Sequence, residues 1–280
     1  SGFGQSSLGS NTTGSNNTGL GRGSLSANTT ADNNTGVGYN ALAANITGQQ
    51  NTALGAESLY TNSTGNGVVA VGRQALYAST ASDNTAIGHN VMVANTSGTL
   101  NVAVGGGVYG STGGALSANT TGSYNTAAGH SALLSNTTAS NNTGVGYQSL
   151  YTNTTGANNT AVGYNALVLN TTGANNVAVG RAALDANTTA SKNTALGDSA
   201  AGVNTTGASL TAVGADALLL NTTGSYNTAV GESALISNTT ASNNTAVGYQ
   251  SLYANTTGAG STAVGKNALA TTTTADNNTA

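Results

Sequence analysis

Side chains able to do acid–base chemistry are scarce in this sequence. Its 280 residues hold two His, eight Asp and Glu together, and five Lys and Arg together. His89 and His130 stand at equivalent places in a repeated pattern, each directly after a glycine. Elsewhere that place holds Tyr39, Arg73, Glu232 or Lys266. A place that accepts all of these reads as an exposed, variable site rather than a general base. No Ser/His/Asp set is suggested, and neither HExxH nor CxxC occurs. Calcium-binding β-rolls need a ladder of Asp, but Asp32, Asp83, Asp185, Asp198, Asp216 and Asp276 fall in four or more different columns of the repeat. Gly105-Gly106-Gly107 lacks the Lys-Ser/Thr that would complete a phosphate loop. The expectation is a protein that is not an enzyme, with no metal and no cofactor.

Three other chemistries are open to the abundant Asn, Thr and Tyr. Asn-x-Thr triplets such as Asn170-Thr171-Thr172 are N-glycan acceptors in a secreted eukaryotic chain. The candidate column is Asn11, Asn28, Asn45, Asn62, Asn95, Asn119, Asn136, Asn153, Asn170, Asn187, Asn204, Asn221, Asn238 and Asn255, which would lie in a turn. The competing reading, which is favoured, keeps Asn and Thr for turn and ladder hydrogen bonds. Regular Thr rows also invite an ice-binding reading, but Thr171 and Thr172 are adjacent and cannot both face outward from one flat strand. Tyr39, Tyr147, Tyr164 and Tyr249 share one column, and Tyr60, Tyr77, Tyr151 and Tyr253 another. These are contacts for sugars or neighbouring chains, or covers for a corner of the fold.

The positioning element is a repeat. Residues 159–175, NTAVGYNALVLNTTGAN, are numbered here as positions 1 to 17. The glycine at position 5 recurs from Gly4 to Gly265 in 16 copies, spaced by 17 except for one 16 (Gly72 to Gly88) and one 24 (Gly105 to Gly129). Such an array has no single globular core, so length says little about domain number. A single continuous array over residues 1–280 is expected, with an inserted loop at about 106–114. The fifth copy departs most: Val68-Val69 replaces Asn-Thr, and its turn is one residue short.

Alternation around Val162 puts Thr160 and Val162 on one face of a strand and Ala161 on the other. Position 4 is always apolar, so it is read as pointing inward: Val37, Val71, Val104, Val145, Val162, Val179, Val213, Val230, Val247 and Val264. Position 9 supplies the second core column: Leu42, Leu59, Leu76, Leu150, Leu167, Leu184, Leu218, Leu235 and Leu252. Frequent Gly, Thr and Asn exclude a helix. One coil therefore reads as strand, Gly corner, short strand and Asn-Thr-Thr-Gly turn. Stacked coils make an all-β, parallel β-solenoid (β-roll) of about 16 coils. Each coil buries little apolar area, and the small residues at positions 3 and 8 suit close approach by another backbone. Several chains packed side by side are expected, three in the simplest case. Position 15 is Ala rather than Gly at Ala31, Ala81, Ala139, Ala190 and Ala241, every third coil, with Ala275 one coil early, as duplication of a three-coil ancestor would leave it.

Composition bounds the rest. A net charge of −3 and scattered Lys and Arg give no field for nucleic acid. No apolar run is long enough to cross a bilayer, and no signal peptide is evident. The chain starts at Ser1 inside a coil without an initiator Met, as a processed chain or a piece of a longer one would.

The NVAVG strings at 101–105 and 176–180 resemble the strand-and-glycine motif of YadA-like head repeats in trimeric autotransporter adhesins. Strings such as NTAVGYNAL are similar to repeats of phage tail-fibre-like and bacterial surface proteins. The resemblance implies a left-handed parallel β-roll, a homotrimer, and an extracellular role in attachment at a cell surface or virion. The expected function is a rigid shaft or head of a surface adhesin or tail fibre, contacting a surface glycan or host receptor. A self-stacking, N-glycosylated extracellular filament and an ice-binding solenoid are the alternatives.

Overall fold

In a computed structural model, residues 1–108 and 113–280 are described. The middle of the inserted loop, 109–112, lies outside the described residues. The chain forms two compact units, Ser1–Asn141 and Asn142–Ala280. Both are parallel β-solenoids built on the 17-residue repeat, and no helix occurs among the described residues. The first unit runs from β1 (Gly2–Phe3) to β8 (Thr126–Ala128). The second runs from β9 (Thr143–Val145), through β10 (Thr160–Val162) and β11 (Val177–Val179), to β16 (Thr262–Val264).

Each coil contributes one strand, and strands pair in parallel at a fixed offset. Thr160, Ala161 and Val162 of β10 face Val177, Ala178 and Val179 of β11. The insertion does not disturb this, because Val102, Ala103 and Val104 pair with Thr126, Ala127 and Ala128 across it. The amide of Gly107 donates to His89 O at 2.8 Å and that of Ala115 to Gly105 O at 2.8 Å, so the extra residues leave and re-enter at one corner.

The short second strand expected after the glycine corner does not form. Positions 6 to 11 are two successive turns instead, closed by Ala217 N–H to Gly214 O at 3.3 Å and Asn170 N–H to Leu167 O at 3.2 Å. Left-handed residues at positions 7 and 9 cause this, for example Asn165 at φ 57° and Leu167 at φ 52°. Leucine rarely adopts this region, which costs about 1–2 kcal/mol. Burying its side chain returns about 1.5–3 kcal/mol. Gly163 turns the preceding corner at φ +138°, and a Cβ there would strike the carbonyl oxygen of Gly180 in the next coil.

Strand orientation is opposite to the sequence expectation. Ala161 is fully buried, as are Ala178 and Ala212, whereas Val104 and Val179 are 40% and 37% exposed. None of Val37, Val71, Val104, Val145, Val162, Val179, Val213, Val230, Val247 and Val264 is buried. The Leu column, Leu42 to Leu252, is fully buried and already fills the interior, so the strand can turn only a methyl group inward. The small residues at positions 3 and 8, such as Ala161 and Ala166, lie inside the coil and are out of reach of another chain.

Candidate functional surface

The Asn column raised as glycan acceptors points into the coil. From Asn28 to Asn255 every member is fully buried, and only Asn11 is partly accessible. Asn170 Nδ2 donates to Asn153 Oδ1 in the preceding coil at 2.8 Å and to Gly173 O at 2.9 Å. Asn187 repeats the pattern on Asn170 and Ala190. Both amide hydrogens are thereby used, so a sugar on Nδ2 would break the ladder and need space that does not exist. Position 1 forms a second amide ladder: Asn176 N–H donates to Asn159 Oδ1 at 3.0 Å, and Asn159 Nδ2 to Gly173 O at 2.8 Å. Much of the interior is therefore polar and satisfied along the stack.

The ladder also shows where it is interrupted. Asn255 Oδ1 is buried with no partner, and the next coil carries Thr272 at the place of an Asn; Asn45 Oδ1 is likewise without a partner although Asn62 follows it.

Outside, the sheet face, the aromatic residues and the turn stand out. The sheet face presents position 2 (Thr160, Val177) and position 4 (Val162, Val179) as parallel rows, and position 4 is apolar in every coil. Tyr147 stacks on Tyr164 with ring centroids 5.3 Å apart, and Tyr60 on Tyr77 at 5.2 Å. Arg22 lies over Tyr39 and Lys266 over Tyr249, each 5.8 Å from the ring centre. The turn presents Thr171 and Thr172, which differ: Thr171 Oγ1 donates to Thr188 O at 3.0 Å, whereas Thr172 is exposed.

Among the described residues, several titratable side chains pair locally. His89 approaches Arg73 at 3.3 Å, and His130 Nδ1 lies 2.9 Å from Ser131 Oγ. Arg181 pairs with Asp198 at 2.8 Å in solvent. Half-buried Asp185 has its carboxyl pushed above the ordinary carboxylate range by burial, opposed by hydrogen bonds from the backbone of Ala186 and its own amide. Among the described residues there is no cleft and no group of three His, Asp or Glu placed to share a metal. No helix is long and apolar enough to cross a membrane.

These features define a parallel β-solenoid repeat protein with a partly polar, ladder-bonded interior. No protein-family model matches the chain, and no curated protein sequence matches it significantly.

Proposed function

We propose that the chain is a structural element of an extracellular fibre, the shaft or head of an attachment organelle, and that copies pack side by side through their sheet faces. One observation carries the reading: position 4 is apolar in every coil and yet faces outward. A row of Val, Leu and Ile at that exposure is a surface that waits to be covered. The partner that fits is a second copy. Its rows repeat at the same inter-strand spacing, about 4.7–4.9 Å, and the face carries no charge to oppose itself. A homotrimer closes three such faces around an axis and hides them all. End-to-end stacking into a filament is the competing assembly. In either, the stacked Tyr rings lie outside and are the candidates for glycan or receptor contact.

Native mass spectrometry of the chain and of a V145D/V162D/V179D variant tests this. Three chains per particle for the natural sequence, and single folded chains for the variant, support it. A natural sequence that stays a monomer at micromolar concentration overturns it. Gold-labelled antibodies on intact cells or particles test the extracellular placement.

Ice binding is the second reading, and the sheet face favours it where the adjacent Thr171 and Thr172 did not. Thr160 and Val162 share one face, in register with Val177 and Val179 of the next coil. Thermal hysteresis in a solution of the folded chain supports this reading, and none removes it.

A further inference from the structure

Position 14 of the repeat is exposed in every coil that has it: Thr13, Thr30, Thr47 and Thr64 in the first unit and Thr155, Thr172 and Thr189 in the second are examples. It is Thr throughout except for Ser97. An exposed position that hardly varies among so many internal copies calls for a reason. Other outward places, such as position 6 with its Tyr, Arg, Glu, Lys and His, change freely.

Comparison with position 2 shows what is being kept. There Val69, Val102 and Val177 replace Thr, so the hydroxyl is dispensable in those coils, and Ser1 is the one unbranched member of the column. At position 14 the reverse holds: Ser97 preserves the hydroxyl and gives up the branch. Intramolecular bonding does not explain it. The neighbouring Thr171, Thr188 and Thr205 hydroxyls donate to carbonyl oxygens of the following coil, but among the described residues no position-14 hydroxyl makes a hydrogen bond within the chain. Nor is the hydroxyl the third member of a working N-glycan triplet, because the Asn of that triplet is buried. In the last coil Thr272 replaces the Asn altogether, and Thr274 is still present and exposed.

We propose that the position-14 hydroxyls are O-linked glycan acceptors, so that each unit carries a row of sugars along its turn edge. Only 5% of residues are charged. A neutral sugar row supplies the hydration that charge supplies on other proteins. The chemistry is a glycosyl transfer. Oγ1 attacks the anomeric carbon of a sugar activated as a phosphate ester, carried on a nucleotide or a lipid. The new C–O bond forms as the anomeric bond to phosphate breaks; phosphate leaves with that electron pair, and the hydroxyl proton passes to the transferase's base. The acceptor must be reachable on the folded coil, and position 14 is reachable where Asn170 is not.

The experiment uses the chain isolated from its natural source. Intact mass spectrometry is followed by alkaline β-elimination, which removes an O-linked sugar and leaves a dehydrated Thr or Ser. Peptide fragmentation then places that mark. Hexose-sized mass steps with dehydration at Thr155, Thr172 and Thr189 are the expected result. A chain of bare polypeptide mass overturns the proposal, and so do sugars released by an N-glycan amidase or marks confined to Thr171 and its column. The outcome is independent of lateral association: a glycosylated monomer upholds this proposal and defeats that one.

Discussion

Asn159 and Asn170 converge on one atom: both side-chain amides donate to the carbonyl oxygen of Gly173, at 2.8 and 2.9 Å. Position 15 is thus the point where the two amide ladders of a coil are tied together. Its side chain must stay small, since a Cβ on Gly173 would meet the carbonyl oxygen of Ala190 and Asn170 Oδ1.

Asn170→Ala cuts this tie. It removes the bonds to Gly173 and Asn153 and takes from Asn187 Nδ2 one of its two acceptors, leaving the bond to Ala190 O. A buried group left unpaired costs about 1–3 kcal/mol, so urea unfolding should shift to lower concentration by that amount. Asn170→Asp should be worse near neutral pH and recover on acidification, as protonation restores a donor.

Thr272→Asn should do the opposite. It offers the buried, partnerless Asn255 Oδ1 the donor that most other coils supply. A gain of about 1 kcal/mol is expected, read as a rise in melting temperature. No rise would mean that the last ladder step is not worth a bond.

Gly163→Ala tests the corner. The site combines φ +138° with a neighbouring carbonyl in the path of any Cβ. Loss of about 1–3 kcal/mol is expected from the backbone alone. Asn165→Ala, at φ 57° in the turn that follows, should cost less, because no glycine-only region is involved.

Leu167→Ala and Val162→Ala separate inside from outside. The first empties a fully buried site and should cost about 2–5 kcal/mol. The second trims an outward side chain and should stay within about 0.5 kcal/mol for the single chain. Equal losses in calorimetry would contradict the outward placement of position 4.

Asp185 gives the pH dependence. Its carboxyl titrates above its unfolded value because it is half buried. At pH below the ordinary carboxylate range both states hold the proton and nothing is lost. As pH rises through that range and past the folded value, the unfolded state sheds its proton first, and stability falls. Asp185→Asn should therefore be more stable than the natural chain at neutral pH and equal to it in acid, by thermal melts across the range.

The repeat, its parallel stacking and the Leu167 column were legible because they depend only on spacing and on one large residue type. The direction of the strand was not. Alternation says that Thr160 and Val162 share a face and Ala161 takes the other, but it does not say which face is inside. Choosing the larger side chain is the usual guide; here Leu167 and two Asn had already filled the narrow interior. The Asn ladders were misplaced for a related reason. A single Asn170 in a turn reads as exposed, and burial becomes favourable only when Asn153 and Asn187 stand directly before and after it. Left-handed Leu167 gave no sign, since leucine is not a residue that marks such turns. The outward hydroxyl of Thr172 could have been separated from Thr171 by comparing what each column tolerates, Ile46 at one and only Ser97 at the other.

The fixed offset between paired strands has a kinetic consequence. Thr160 bonds to Asn176 and Gly163 to Val145, and the bonds between coils elsewhere in each unit reach mostly 16 to 18 residues along the chain. Adding coils therefore lengthens the molecule without lengthening any loop that must close. Once two coils have met, each further coil joins at the same entropic cost as the last, and relative contact order falls as the array grows. Refolding should be governed by one early encounter and be nearly indifferent to how many coils follow.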